Sequence, residues 1–145
     1  MDLRIIDQNV VIGQCNIGPL TELFPEAKTA GGYIALPHTL EVAQVLNTAG
    51  YKCPSPIRTQ YNWPGQHKPR WYQIDSAEAM TLNRRFFNLS SCRTGKTLAT
   101  LWGCDFLMNL GLLKRVLIVA PLSTLDDVWA QELFVSFHKR SFAVL

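Results

Sequence analysis

At 145 residues the chain is long enough for one ordinary domain, or for a small domain plus part of a second. Hydrophobic residues make up 48% and charged residues 17%, which excludes global disorder and permits a packed core. The formal net charge of +3 is unevenly placed, with six Lys/Arg and seven Asp/Glu in residues 1–80 but eight and four in residues 81–145; the second part admits an anionic partner without demanding one.

Met1-Asp2-Leu3-Arg4 lacks the basic start and long apolar stretch of a signal peptide. Leu3–Ile6 and Val10–Ile12 are short β-rich runs separated by Asp7-Gln8-Asn9, whose turn chemistry predicts a hairpin. Gly18-Pro19 opens a short helix through Phe24, which Pro25 ends. Gly31-Gly32 precedes a strand over Tyr33–Leu36, bounded by Pro37. Thr39 is a good N-cap with Glu41 in the first turn. Val42, Ala43, Leu46 and Ala49 recur at helical spacing, and Gly50 suits the position after the C-cap. Residues 1–50 therefore read as a small α+β module without a catalytic constellation, thin for an independent core.

Residues 51–72 differ in composition, with four prolines, four Lys/Arg, five Tyr/Trp and no acid. They read as an extended connector. Two alternatives stay open for it. It lines a nucleic-acid groove, with cations on phosphates and aromatics stacked on bases, or it is a linker whose aromatics pack on the adjoining domain.

Residues 73–145 read as a second domain. Gln73–Leu82 is a short helix candidate, and Arg85–Leu89 an apolar strand. Ser90-Ser91-Cys92-Arg93-Thr94-Gly95-Lys96-Thr97 then reads as a phosphate-binding loop. Its backbone N–H groups and the following helix N-terminus suit a polyphosphate, Lys96 reaches the β/γ-phosphates, and the Thr97 hydroxyl ligates Mg²⁺. A Gly-Lys-Thr triplet alone is a weak signal. Its position between an apolar strand and an apolar-periodic helix strengthens it. Ser90 occupies the place of the usual first glycine, whereas Gly95 is retained beside the lysine. The competing reading is a helix N-terminus with an exposed lysine and no ligand.

From Thr97, the residues Leu98, Leu101, Trp102, Phe106 and Leu110 keep helical spacing up to Gly111. Arg115–Pro121 is an uninterrupted apolar run of the kind buried on both faces of a parallel sheet. The run Val116–Leu122 is too short to span a bilayer. Ser123 or Thr124 caps another helix, with Asp126 and Asp127 at capping-box spacing and Leu125, Val128, Trp129, Leu133 and Phe137 as its apolar stripe. Ser141–Leu145 starts a third strand. The order strand–loop–helix–strand–helix–strand predicts a parallel α/β sheet with right-handed crossovers.

The cysteines (Cys15, Cys53, Cys92, Cys104) form no Cys-x-x-Cys pair and suggest neither a zinc site nor a disulfide framework. Reduced thiols in an intracellular protein are the plain reading. His38, His67 and His138 have no partner at catalytic spacing and read as structural or solvated.

The loop, followed by Val116-Leu117-Ile118-Val119-Ala120-Pro121-Leu122-Ser123-Thr124-Leu125 and then Trp129 and Glu132-Leu133, resembles the first motor lobe of superfamily-two helicases, closest to the Swi/Snf-type ATP-dependent translocases. The family's first motif usually reads Asp-Glu-Met-Gly-x-Gly-Lys-Thr. This chain departs from it at Ser90, Ser91, Cys92 and Arg93. An arginine before Thr-Gly-Lys-Thr is shared with phage and bacterial helicases.

The resemblance implies a partial RecA-like parallel sheet, with ATP and Mg as cofactors. It makes Cys92, Arg93, Thr94, Gly95, Lys96 and Thr97 nucleotide-binding residues, with Thr97 on the metal. It makes Gln73 an adenine reader, since Lys68-Pro69-Arg70-Trp71-Tyr72-Gln73 resembles the family's element in which a Gln follows a Pro and an aromatic. It also implies that Pro121, Leu122, Ser123 and Thr124 touch a DNA backbone, a role that helix capping by Ser123 and Thr124 explains equally well. The family's Asp-Glu box and its second lobe with arginine fingers are expected beyond residue 145, as a partner in cis. The chain is then expected to be an N-terminal fragment of a DNA helicase or translocase from a bacterial or phage-infected cell cytoplasm, without a membrane partner. It would bind ATP·Mg yet hydrolyse little of it, because γ-phosphate cleavage depends on positioning and charge stabilisation. Two rival functions are a non-enzymatic single-strand-binding module and a compact phosphate-loop phosphotransferase.

Overall fold

A computed structural model describes residues 2–13 and 17–144; Cys15 lies outside the described residues. The chain divides into two compact units, Met1–Pro56 and Ile57–Leu145. Residues 51–56 of the basic, aromatic segment belong to the first unit and residues 57–72 to the second.

In the first unit, β1 (Asp2–Ile6) and β2 (Asn9–Gly13) form the expected hairpin. Asp7 and Gln8 both take positive φ (46° and 61°), the two-residue turn whose twist matches that of the flanking strands. Asn9 Nδ2 donates to the Asp7 carbonyl at 3.0 Å. Helix α1 (Ile17–Leu23) follows. A second hairpin joins β3 (Lys28–Ala30) to β4 (Tyr33–Pro37) through Gly31-Gly32, where φ values of 57° and 80° call for glycine. The sheet order is β1-β2-β4-β3, antiparallel throughout, and its register sets Val10 opposite Leu36 and Ile12 opposite Ile34. These four side chains alternate onto one face and are buried. The unit's other buried apolar side chains include Leu20 and Phe24 around α1, and Leu40, Val42, Ala43 and Leu46 of α2 (Leu40–Thr48).

Helix α2 begins and ends as its sequence predicts. Thr39 Oγ1 accepts from the Val42 amide at 3.3 Å. At the other end Gly50 turns left-handed (φ 88°), so that the Tyr51 amide reaches Leu46 O at 2.9 Å and the Gly50 amide reaches Asn47 O at 3.1 Å. The segment beyond is tied back by Asn47 Nδ2 to Cys53 O (2.6 Å) and by His38 Nε2 to Pro54 O (2.7 Å).

The second unit contains α3 (Ile57–Gln60), α4 (Trp71–Leu82), α5 (Lys96–Asn109), the single turn α6 (Leu122–Thr124), a π-helical stretch Leu125–Ala130, and α7 (Gln131–Ser136). Helices α4 and α5 pack closely enough that Ala77 O lies 3.6 Å from where a Cβ on Gly103 would stand. Leu98, Leu101 and Trp102 of α5 meet Phe137 in a buried cluster. Tyr61, Trp63, Ile118, Trp129 and Leu133 pack against it. The predicted stripes hold in their central positions, while Leu110 and Val128 are exposed.

The expected partial RecA-like parallel sheet is corrected by the structure, whose fold is α+β. Among the described residues the one sheet is the small antiparallel one of the first unit, and no strand occurs in the second. Residues 85–89, 115–121 and 141–144 run without strand partners. In the middle run Ile118 packs on the α5–α7 cluster, whereas Leu117 and Val119 are 83% and 87% exposed. A continuous apolar run reads as a buried parallel strand only if neighbours cover both faces, and nothing local to the run supplies them. No described helix is long and apolar enough to cross a membrane.

Candidate phosphate-binding site

The site is built on the N-terminus of α5. Its N-cap is Gly95, left-handed at φ 69° and ψ 34°, and no side chain caps the helix. The first-turn N–H groups have no intrahelical acceptor, and with the helix dipole they favour an anion there. The loop ahead is held by its own side chains. Thr94 Oγ1 donates to Ser91 O at 2.9 Å. Lys96 folds back across the loop, its Nζ donating to Ser90 O (2.8 Å) and Ser91 O (2.7 Å). Arg93 takes φ 62°, an uncommon conformation for a side chain of its size. Ser90 has no such demand, since its φ is not positive. Its amide bonds Asn88 Oδ1 at 3.1 Å, a local turn that a serine makes without strain. The backbone at this place therefore does not itself call for glycine.

Gln73 comes to this loop from α4. Its Oε1 accepts from the Arg70 amide at 2.9 Å, and its Nε2 donates to Gly95 O at 3.3 Å. The side chain belongs to a residue only 8% exposed. Two elements 22 residues apart in the chain, singled out for base and phosphate, thus meet directly. Thr97 sits half-buried in the first turn of α5, while Cys92 and Arg93 are exposed.

Pro121, Leu122 and Ser123 are exposed, and Thr124 is half-buried. The expected side-chain cap is not formed. Pro121 occupies the N-cap position of α6, and Thr124 Oγ1 donates to Pro121 O at 2.9 Å. Among the described residues none of these four bonds to the loop. Asp126 and Asp127 lie exposed in the π-helical stretch.

The aromatic segment before α4 packs inward. Tyr61 meets Trp63 and Phe106 edge-on (centroids 5.3 and 5.7 Å), and Trp63 meets Trp102 at 5.3 Å. Trp102 Nε1 donates to Pro64 O at 2.7 Å. Tyr61 and Trp63 thus follow the packed-linker alternative, whereas Trp71 is largely exposed. Arg58 is also engaged, paired with Asp75 and Glu78 of α4, and the hydrogen bond to Glu78 raises its pKa.

Sequence reasoning missed the junction around Asp105. This carboxylate accepts from Tyr61 Oη (2.7 Å), Asn109 Nδ2 (3.1 Å) and Arg140 Nε (2.7 Å). The i, i+4 spacing of Asp105 and Asn109 was the available signal. Burial, then the bond to Asp105, pushes the Tyr61 phenol far above its ordinary value. Burial and the same carboxylate raise the Cys104 thiol.

Among the described residues no cluster of His, Cys, Asp or Glu could hold a metal by itself. Magnesium bound with a nucleotide takes most of its ligands from phosphates and water, so one hydroxyl such as that of Thr97 fits such a role. No protein-family model matches this chain, and comparison with curated proteins and with solved structures gave no match.

Proposed function

We propose that the chain binds ATP·Mg through residues 90–97, as part of an ATP-dependent DNA helicase or translocase acting inside a cell. The observation that carries this reading is the meeting of Gln73 with Gly95, beside an uncapped helix N-terminus and a lysine folded over the same loop. In this reading the α5 N–H groups and Lys96 hold the phosphates, Thr97 touches the metal, and Gln73 faces the adenine edge. Cys92, Arg93 and Thr94 shape the loop, and Pro121–Thr124 offer contacts to a DNA backbone. In this reading a helicase lobe is the partner that would close on the nucleotide.

The test is calorimetric titration of the full chain with ATP in the presence and absence of Mg²⁺. Saturable binding is expected that Lys96→Ala weakens at least tenfold and that loses its Mg²⁺ dependence in Thr97→Ala. Unchanged affinity in Lys96→Ala overturns the reading. Phosphate release by this chain is expected to stay at background. Asp105 is committed to Tyr61, Asn109 and Arg140, and no carboxylate among the described residues bonds to the loop.

A further inference from the structure

Gln73 has work to do before any base arrives. Resting on the nucleotide reading above, we propose that Gln73 is a positioning residue that holds the phosphate loop in its binding shape through the Gly95 carbonyl, whether or not a base is present. Its amide orientation is settled by chemistry. The Arg70 N–H can only donate and the Gly95 C=O can only accept, so Oε1 faces the first and Nε2 the second.

The Gly95 carbonyl is the atom on which the loop and the helix join. It accepts the first helical bond of α5, from the Ala99 amide at 3.1 Å, and its second lone pair takes Gln73 Nε2. One buried side chain therefore ties the N-terminus of α4 to the N-terminus of α5. The left-handed backbone at 95 favours glycine, and a Cβ there would push aside Gln73 Nε2 and so break the clamp. Lys96 holds the opening of the loop at Ser90 and Ser91, and Gln73 holds its end. The clamp leaves the amide one N–H and one lone pair in a fixed order, a donor–acceptor pair still able to meet a base edge. Base contact and clamp are compatible, and removal of the amide loses both.

The variants separate these roles. Gln73→Glu keeps an oxygen for the Arg70 amide but has no donor for Gly95. Gln73→Lys keeps a donor and loses the acceptor. In the ligand-free full chain, hydrogen exchange at the Ala99 amide is expected to quicken about 3–10-fold in Gln73→Glu, the span of one ordinary hydrogen bond, and to stay near the parent rate in Gln73→Lys. Equal exchange in both variants overturns the clamp. The neutral Gln73→Met is then titrated with ATP and with inorganic tripolyphosphate, which has no base. Weakening of both ligands is the expected result. A loss confined to ATP makes Gln73 a base contact only and overturns the proposal. If the parent chain binds neither ligand, the nucleotide reading fails and positioning for phosphate falls with it, while the exchange rates still report whether the Gly95 bond exists.

Discussion

Gly95 joins the loop to α5 through a left-handed backbone. The phosphate-loop reading asks for glycine there because a bound phosphate would crowd the backbone. The structure adds the left-handed backbone and the amide of Gln73, which occupies the space of a side chain. Gly95→Ala is therefore expected to lower the stability of the chain by about 1–3 kcal/mol, the range for a strained conformation. It should also weaken ATP·Mg binding; urea denaturation and calorimetry read the two effects separately. Tyr61 gives a pH dependence. Its folded pKa lies above the unfolded value of 10.0, raised first by burial and then by Asp105. The folded chain keeps the phenolic proton where the unfolded chain has lost it. The stabilisation is complete below about pH 10 and is lost as pH rises beyond it. Unfolding free energies should fall above that point in the parent, and Tyr61→Phe should flatten the decline. An identical alkaline limb in both proteins removes Tyr61 as its cause.

At the scale of elements, what could be read from the sequence depended on how local the signal was. The β1–β2 hairpin is specified by two β-rich runs and the polar turn between them. Helix α2 is specified by Thr39 at one end and Gly50 at the other. Both formed where expected, because their determinants lie within a few residues of each other. The site was legible in part for the same reason. The Gly-Lys-Thr triplet fixes where a helix starts, but the reach of Gln73 to Gly95 and the junction of Tyr61, Asp105 and Arg140 depend on tertiary packing. The short β3 was missed because Lys28-Thr29-Ala30 carries little apolar signal. The runs at 85–89, 115–121 and 141–144 misled in the opposite direction. Their apolar character is real, but a strand needs a neighbour that its own residues do not encode. Residue-by-residue burial within the middle run makes this testable. Leu117→Lys and Val119→Lys, on exposed positions, should change stability by less than about 0.5 kcal/mol. Ile118→Ala, against the α5–α7 cluster, should cost about 1–2 kcal/mol, below the fully buried range because the side chain is only half-buried. Equal costs at 117 and 118 would show that both faces of the run are covered.

At the scale of the whole molecule, every residue of the candidate site belongs to the second unit, and so do all four tryptophans, Trp63, Trp71, Trp102 and Trp129. Trp102 is fully buried on the helix that begins at the loop, bonded to Pro64 and packed edge-on against Trp63. Intrinsic tryptophan fluorescence therefore reports the unit that would hold the nucleotide, without signal from the antiparallel sheet of the first. A ligand that binds only the folded form stabilises it by mass action, by about 2.7 kcal/mol at a hundredfold excess over its dissociation constant. Adding ATP·Mg at that excess should move the fluorescence-detected urea midpoint upward in the parent chain. Lys96→Ala, which removes the ammonium and its bonds to Ser90 O and Ser91 O but leaves the Gln73–Gly95 bond and the buried cluster untouched, should unfold at or slightly below the parent midpoint without ligand and show no upward shift with it. An equal shift in both proteins would place the nucleotide elsewhere than on this loop. A shift in neither, alongside intact folding, would leave the second unit a packed helical scaffold with no nucleotide to hold.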